Sequence, residues 1–98
     1  MHAGNYSLDS YEEHYPLAVE CIRHLKTHRL ARQDFPKKLR QRRETLKIEK
    51  REIASKAGIT IRAYDLYEQG QRIPRPDTFS KLSVLLKIPI RELGGCKS

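Results

Sequence analysis

The sequence predicts an all-α fold, and three observations carry that prediction. Apolar residues recur at helical spacing in separate stretches, Leu17 to Leu25 and Phe79 to Leu86 among them. Residues suited to capping a helix start, Asp34, Thr60 and Asp77, stand ahead of such stretches. Gly58 and Gly70 fall where helices would end, in positions that favour a left-handed backbone.

The totals agree with a small folded domain. At 98 residues, one compact domain with an appendage is expected. With 33% charged and 38% hydrophobic residues, the chain is too apolar for wholesale disorder and too charged for a membrane protein. No apolar run approaches a bilayer span, and the N-terminus lacks the apolar segment of a signal peptide, so a cytoplasmic protein is expected. Cys21 and Cys96 are too few and too far apart for a disulfide framework and read as reduced thiols.

The net charge of +8 is unevenly spread. Residues 1–33 carry four acids and four bases, whereas residues 34–98 carry eight acids and sixteen bases. A field of that sign attracts polyanions, because cations displace counterions condensed on phosphates. Charge alone does not separate DNA from RNA or acidic lipid.

In chain order, residues 1–8 show no periodicity. Ser10-x-x-Glu13 fits a capping box, and Pro16 suits a first turn. Leu17, Cys21, Ile22, Leu25 and Leu30 make one stripe of an amphipathic helix over residues 17–30, within an arm of residues 1–33. That stripe needs a cover: the rest of the domain, a second copy, or a partner protein. His24 and His28 lie one turn apart with Cys21 a turn before. Three ligands on one helix make a poor closed site, so no metal and no cofactor are expected.

Asp34 caps a second helix, with Phe35-Pro36 in its first turn, running to Thr45 or Leu46. Phe35, Leu39 and Leu46 keep to one face with Arg42 and Arg43 alongside, and Lys37, Lys38 and Arg40 point elsewhere. From Glu49 the next helix turns Ile53, Ala54 and Ala57 inward, and Gly58 ends it. Thr60 then caps a helix from Ile61 to about Gln69. Two short helices around a glycine turn match the layout that presents its second helix to the DNA major groove. They equally suit an ordinary helical hairpin. Beyond Pro74, a helix from about Asp77 to Leu86 turns Phe79, Leu82, Leu85 and Leu86 inward. Pro89 opens a short last helix, Ile90 to Leu93, and residues 94–98 read as a flexible tail. No phosphate-cradling glycine loop, nucleophile elbow or carboxylate pair stands out, so an enzyme is not expected.

Taken together, residues Phe35 to Leu93 resemble the XRE family, the helix-turn-helix domain of the phage lambda and 434 repressors and Cro. The resemblance rests on Glu52-Ile53-Ala54, Gly58-Ile59-Thr60, Tyr67-Glu68-Gln69-Gly70, Arg72 with Pro74, Asp77-Thr78-Phe79, Lys81-Leu82-Ser83, Leu86-Lys87-Ile88 and Glu92-Leu93, in family order and spacing. It implies a five-helix lambda-repressor-like domain at residues 34–93, here with an extra N-terminal amphipathic helix, acting as a homodimer on a pseudo-palindromic site in double-stranded DNA. The implied function is a sequence-specific transcriptional regulator, a repressor or autoregulator. The alternative is an antitoxin or other interaction module that binds a partner protein through residues 10–33.

Carried across residue by residue, Thr60, Ile61, Arg62, Asp65 and Leu66 match the base-facing positions. Lys50, Arg51, Arg72, Arg75 and Lys38 are the expected backbone contacts, Lys50 replacing a family glutamine. Tyr64 and Tyr67 match core positions, and Glu68 matches a carboxylate that pairs with a first-helix arginine, here Arg43. The chain departs from the family at Glu49, which stands where a Ser or Thr usually caps. The expected reading face is short of polar groups: Arg62 is its one obvious reader, fit to bind guanine O6 and N7, with Ile61 and Leu66 fit for thymine methyls. Asp65 would accept from cytosine N4 or orient Arg62.

Overall fold

The computed structural model describes residues 7–96, so the expectations for residues 1–6 and for Lys97 and Ser98 lie outside the described residues. A 3-10 turn, Leu8–Tyr11, is followed by six helices and no strand among the described residues: α1 (Pro16–Thr27), α2 (Arg29–Leu46), α3 (Lys50–Ala57), α4 (Ile61–Glu68), α5 (Pro76–Leu85) and α6 (Ile90–Leu93). The fold is all-α, with five helices from α2 onward and α1 added in front.

The first half departs from the boundaries expected from sequence. Ser10 and Glu13 do not form a capping box. Ser7 caps the 3-10 turn instead, its Oγ accepting from the Asp9 N–H at 3.2 Å, and α1 starts at Pro16. The helix expected over 17–30 stops at Thr27, because His28 adopts an extended backbone with φ −120°. Leu30 belongs to the next helix and is 76% exposed rather than part of the buried stripe. Asp34 is not a cap. It lies inside α2, which begins at Arg29 and carries Pro36 in its interior. Proline removes the bond that residue 36 would donate to the Arg32 carbonyl. The loss is tolerated because Arg32 faces solvent, while Phe35 and Leu39 on either side are buried and carry the helix through the defect.

Helices α2 to α6 all end alike, a backbone N–H reaching back five residues: Ile48 to Arg43, Ile59 to Ala54, Gln71 to Leu66, Ile88 to Ser83 and Cys96 to Arg91. Each closure turns on one left-handed residue: Lys47, Gly58, Gly70, Lys87 and Gly95. Residues 94–96 are thus folded onto the domain. A Cβ at Gly94 would lie 2.6 Å from the Cys21 Cβ, so only glycine lets the chain pass α1 this closely.

One core unites every helix. Cys21, Ile22 and Leu25 of α1 meet Phe35 and Leu39 of α2, Ile53 and Ala54 of α3, Tyr64 of α4, Phe79 and Leu82 of α5 and Leu93 of α6. The Phe35 and Phe79 rings stack with centroids 5.5 Å apart. Apart from Leu17, which is 43% exposed at the first turn, the stripe of α1 is therefore covered by the chain's own α2, α5 and α6, against which α1 packs. Arg42 completes the frame by donating to the carbonyls of Leu86 and Lys87 at 3.0 and 3.1 Å, which neutralises the exposed end of α5. Among the described residues no helix is long and apolar enough to cross a membrane.

Candidate nucleic-acid interface

Helix α4 packs on α3 and α2 through Tyr64 and Tyr67, both buried, and this fixes which face stays outside. Burial pushes the phenols of both tyrosines above their usual range, for Tyr64 with help from the adjacent Glu68 carboxylate. Beneath α4, Arg43 donates from Nε to Glu68 Oε2 at 2.6 Å and from Nη2 to Oε1 at 3.4 Å. Glu68 holds the guanidinium charged, and Arg43 Nη1 also reaches the Ile48 carbonyl at 3.3 Å. The pair thereby joins α4 to the end of α2.

The outward face begins at Thr60, whose Oγ1 accepts from the Ala63 N–H at 3.0 Å and sets the first turn. Ile61 is 49% exposed. Arg62 is exposed and makes no hydrogen bond or ion pair among the described residues. Asp65 and Leu66 follow one turn on, half-buried, and Gln69 a turn further, exposed. Spaced at i, i+1, i+4, i+5 and i+8, these residues form one stripe along the helix.

Asp65 does not orient Arg62. Its Oδ1 accepts from Lys50 Nζ at 2.6 Å and its Oδ2 from Gln69 Nε2 at 2.6 Å, while Gln69 Oε1 accepts from Gln71 Nε2 at 3.0 Å. The Lys50 ammonium holds the Asp65 carboxyl below the usual carboxylate range, with the Gln69 amide adding to it. The stripe therefore carries a polar chain, Lys50–Asp65–Gln69–Gln71, crossing from α3 over α4 to the following turn. Sequence reasoning missed Gln69 and Gln71 as members of this surface. The i to i+4 spacing of Asp65 and Gln69 was the available signal.

The expected backbone contacts divide. Lys50 lies beside α4, bound to Asp65. Arg51 is exposed and pairs with Glu49 at 3.3 Å, so the carboxylate at the start of α3 is partly neutralised by its neighbour. Arg72 and Arg75 are exposed in the loop after α4, near enough to Tyr67 to influence its hydroxyl. Lys38 is elsewhere. Its ammonium donates to the Glu92 carbonyl at 2.6 Å and it lines a cavity with His24, His28, Asp34 and Gly95. The exposed cations of α2 that line the cavity beside the end of α4 are instead Arg32, Lys37 and Arg40. The reason is angular: Lys38 lies on the side of α2 that meets α6, and its neighbours in sequence point about 100° away per residue.

His24 and His28 stack with ring centroids 3.9 Å apart, and among the described residues no group of His, Cys, Asp or Glu is placed to hold a metal ion. The outward stripe of α4 carries one uncommitted guanidinium, two aliphatic side chains and a pre-linked row of amides and charges.

A helix-turn-helix family model, HTH_3, matches residues 39–93, which spans α3, the Gly58 turn, α4 and both C-terminal helices. Neither a curated protein nor a solved structure matches the chain significantly. Members of that family are DNA-binding regulatory domains, typically without enzymatic activity, and its two-helix signature falls on the elements that expose the α4 stripe. With more than half its length matched and the all-α frame in place, this chain belongs to the XRE-type helix-turn-helix family.

Proposed function

We propose that the protein is a sequence-specific transcriptional regulator that inserts α4 into the major groove of double-stranded DNA, acting as a repressor or autoregulator. The single observation that carries the reading is Arg62. It stands exposed and uncommitted at the leading end of α4, between Ile61 and Leu66, while the neighbouring charges are tied to one another. A free guanidinium can bind guanine O6 and N7 together, and flanking aliphatic groups favour thymine methyls. Thr60, Ile61, Arg62, Asp65 and Leu66 are the proposed base contacts. Lys50, Arg51, Arg72 and Arg75 follow the phosphates, Lys50 through a charge shared with Asp65. Two copies bound about 34–36 Å apart would read a pseudo-palindrome.

The other reading, a module that captures a partner protein with residues 10–33, needs a surface other than the apolar stripe of α1, since the domain's own core covers Cys21, Ile22 and Leu25. Selection of binding sites from random duplexes at near-physiological salt tests the proposal. A palindromic consensus with a guanine in each half-site is expected. Recovery of no preferred sequence would count against it.

A further inference from the structure

We infer that the groove between α2 and the C-terminal end of α4 seats the sugar–phosphate backbone of DNA flanking the bases read by α4, held by Arg32, Lys37 and Arg40. The inference rests on the DNA-binding reading and extends it to residues N-terminal of the family match, which begins at 39. The groove holds about 670 Å3 and runs between Arg32, Gln33, Pro36, Lys37 and Arg40 on one wall and Gln69, Gly70 and Gln71 on the other. It exists because α2 starts at Arg29 rather than at Asp34. The added turns bring Arg32 and Gln33 to the groove: Gln33 stands four and seven residues before Lys37 and Arg40, and Arg32 stands four residues before Pro36, all of them lining it.

The charge in this groove is uncompensated. Lys37 and Arg40 make no hydrogen bond or ion pair among the described residues, and Arg32 donates only to the neutral Lys26 carbonyl at 3.3 Å. The one acid that borders the groove, Glu68, is 3% exposed and already bound by Arg43. Asp34 lines a different cavity, with His24, His28 and Lys38. Three cations with no facing carboxylate favour a polyanion, and phosphodiesters need only such cations and amide donors.

Continuity with α4 decides which polyanion. Gln69 belongs both to the outward stripe of α4 and to the groove wall, so a strand whose bases meet that stripe leads directly into it. The floor is narrow by construction. A Cβ at Gly70, where φ is +76°, would come within 3.1 Å of Pro36 Cγ, so the turn can lie against α2 only as glycine. From Arg32 to Arg40 the helix rises about 12 Å, which covers roughly three phosphates of one strand at 3.4 Å each.

The test uses the full chain, its selected operator, and operators with the flanking base pairs trimmed, titrated between 50 and 200 mM salt. In Arg32→Ala with Lys37→Ala, the slope of log affinity against log salt should fall by about 1.8, near 0.9 for each phosphate contact. Base preference should stay unchanged, and trimming the flanks should weaken the parent more than the double variant, which keeps only Arg40 of the three cations. Both residues are exposed, so thermal melting should match the parent, and Lys37→Glu supplies a charge-reversed check with a larger loss. If the parent binds its operator and the variants keep the same slope, the groove assignment falls while the recognition role of α4 stands. If the parent selects no operator, both fall. A salt slope that stays fixed while binding to polyglutamate is lost would overturn the DNA assignment in favour of an acidic peptide.

Discussion

Replacing Arg43 with alanine should be the most damaging single change outside the apolar core. Glu68 is 3% exposed and depends on Arg43 for its neutralisation, through contacts of 2.6 and 3.4 Å. The guanidinium itself is 15% exposed and also satisfies the Ile48 carbonyl, which belongs to the closing turn of α2. Arg43→Ala therefore leaves a buried carboxylate without a cation and a carbonyl without that donor. Breaking a buried pair on one side costs about 3–5 kcal/mol, against a total of roughly 5–15 kcal/mol for a domain of this kind. At the lower figure, a fall in Tm of roughly 12–24 °C is expected for a chain of this length. Urea melts followed by circular dichroism, with the parent, Arg43→Met, Glu68→Leu and Arg43→Met/Glu68→Leu, complete the cycle, with Arg43→Ala measured beside it. The double variant should recover most of the loss, because an apolar pair of similar volume leaves no buried charge unpaired. A loss below about 1 kcal/mol in Arg43→Ala would refute the reasoning, since only a well-solvated surface pair behaves that way.

Four further outcomes follow from the same geometry. Arg62→Ala should relax specificity at one base pair per half-site by about 1–3 kcal/mol with unchanged melting; equal selectivity in an operator-scanning titration would remove Arg62 from the reading face. The Asp65 carboxyl should titrate below the usual carboxylate range, and Lys50→Ala should raise that midpoint, as followed by NMR. Because the folded value is depressed, the contribution of this contact is full above the unfolded value and is lost only as pH falls through the folded one, so DNA affinity should show no Asp65 step between pH 6 and 8. Cys21 is buried and burial, with Cys96 beside it, pushes its thiol up to about 11, so iodoacetamide at pH 8 should label Cys96 first and Cys21 only in denaturant; mass spectrometry of timed samples checks the order. Deleting residues 1–28 should abolish cooperative melting, because Cys21, Ile22 and Leu25 are fully buried and the two aliphatic residues alone contribute roughly 1.5–3 kcal/mol each.

The helix-turn-helix itself was legible because its signals are local. Gly58 in a left-handed turn, Thr60 bonded to the Ala63 N–H and the spacing of Ile53, Ala54 and Ala57 each depend on residues within one or two turns of themselves. The start of α2 was not legible. Asp34 and Pro36 look like a helix beginning, and local preference does start helices there. In the folded chain the buried contacts of Phe35 and Leu39 carry the helix through the proline, and the true start moves back to Arg29.

The candidate interface divides along the same line. Which residues of α4 face outward was implied by the family resemblance, which put Tyr64 and Tyr67 in the core, where both are buried. What those residues touch did not, because Lys50 and Asp65 stand fifteen positions apart and meet only once α3 and α4 cross. That crossing turned Asp65 away from Arg62, linked it to Gln69, and left the guanidinium free. The sequence by itself pointed to the family, through the order of motifs from Phe35 to Leu93, and to the capped turn, a property of short-range spacing. Tertiary packing alone decided the cover over α1, the removal of Lys38 to α6 and the cationic groove beside α4, because each depends on which side of one helix another comes to lie against.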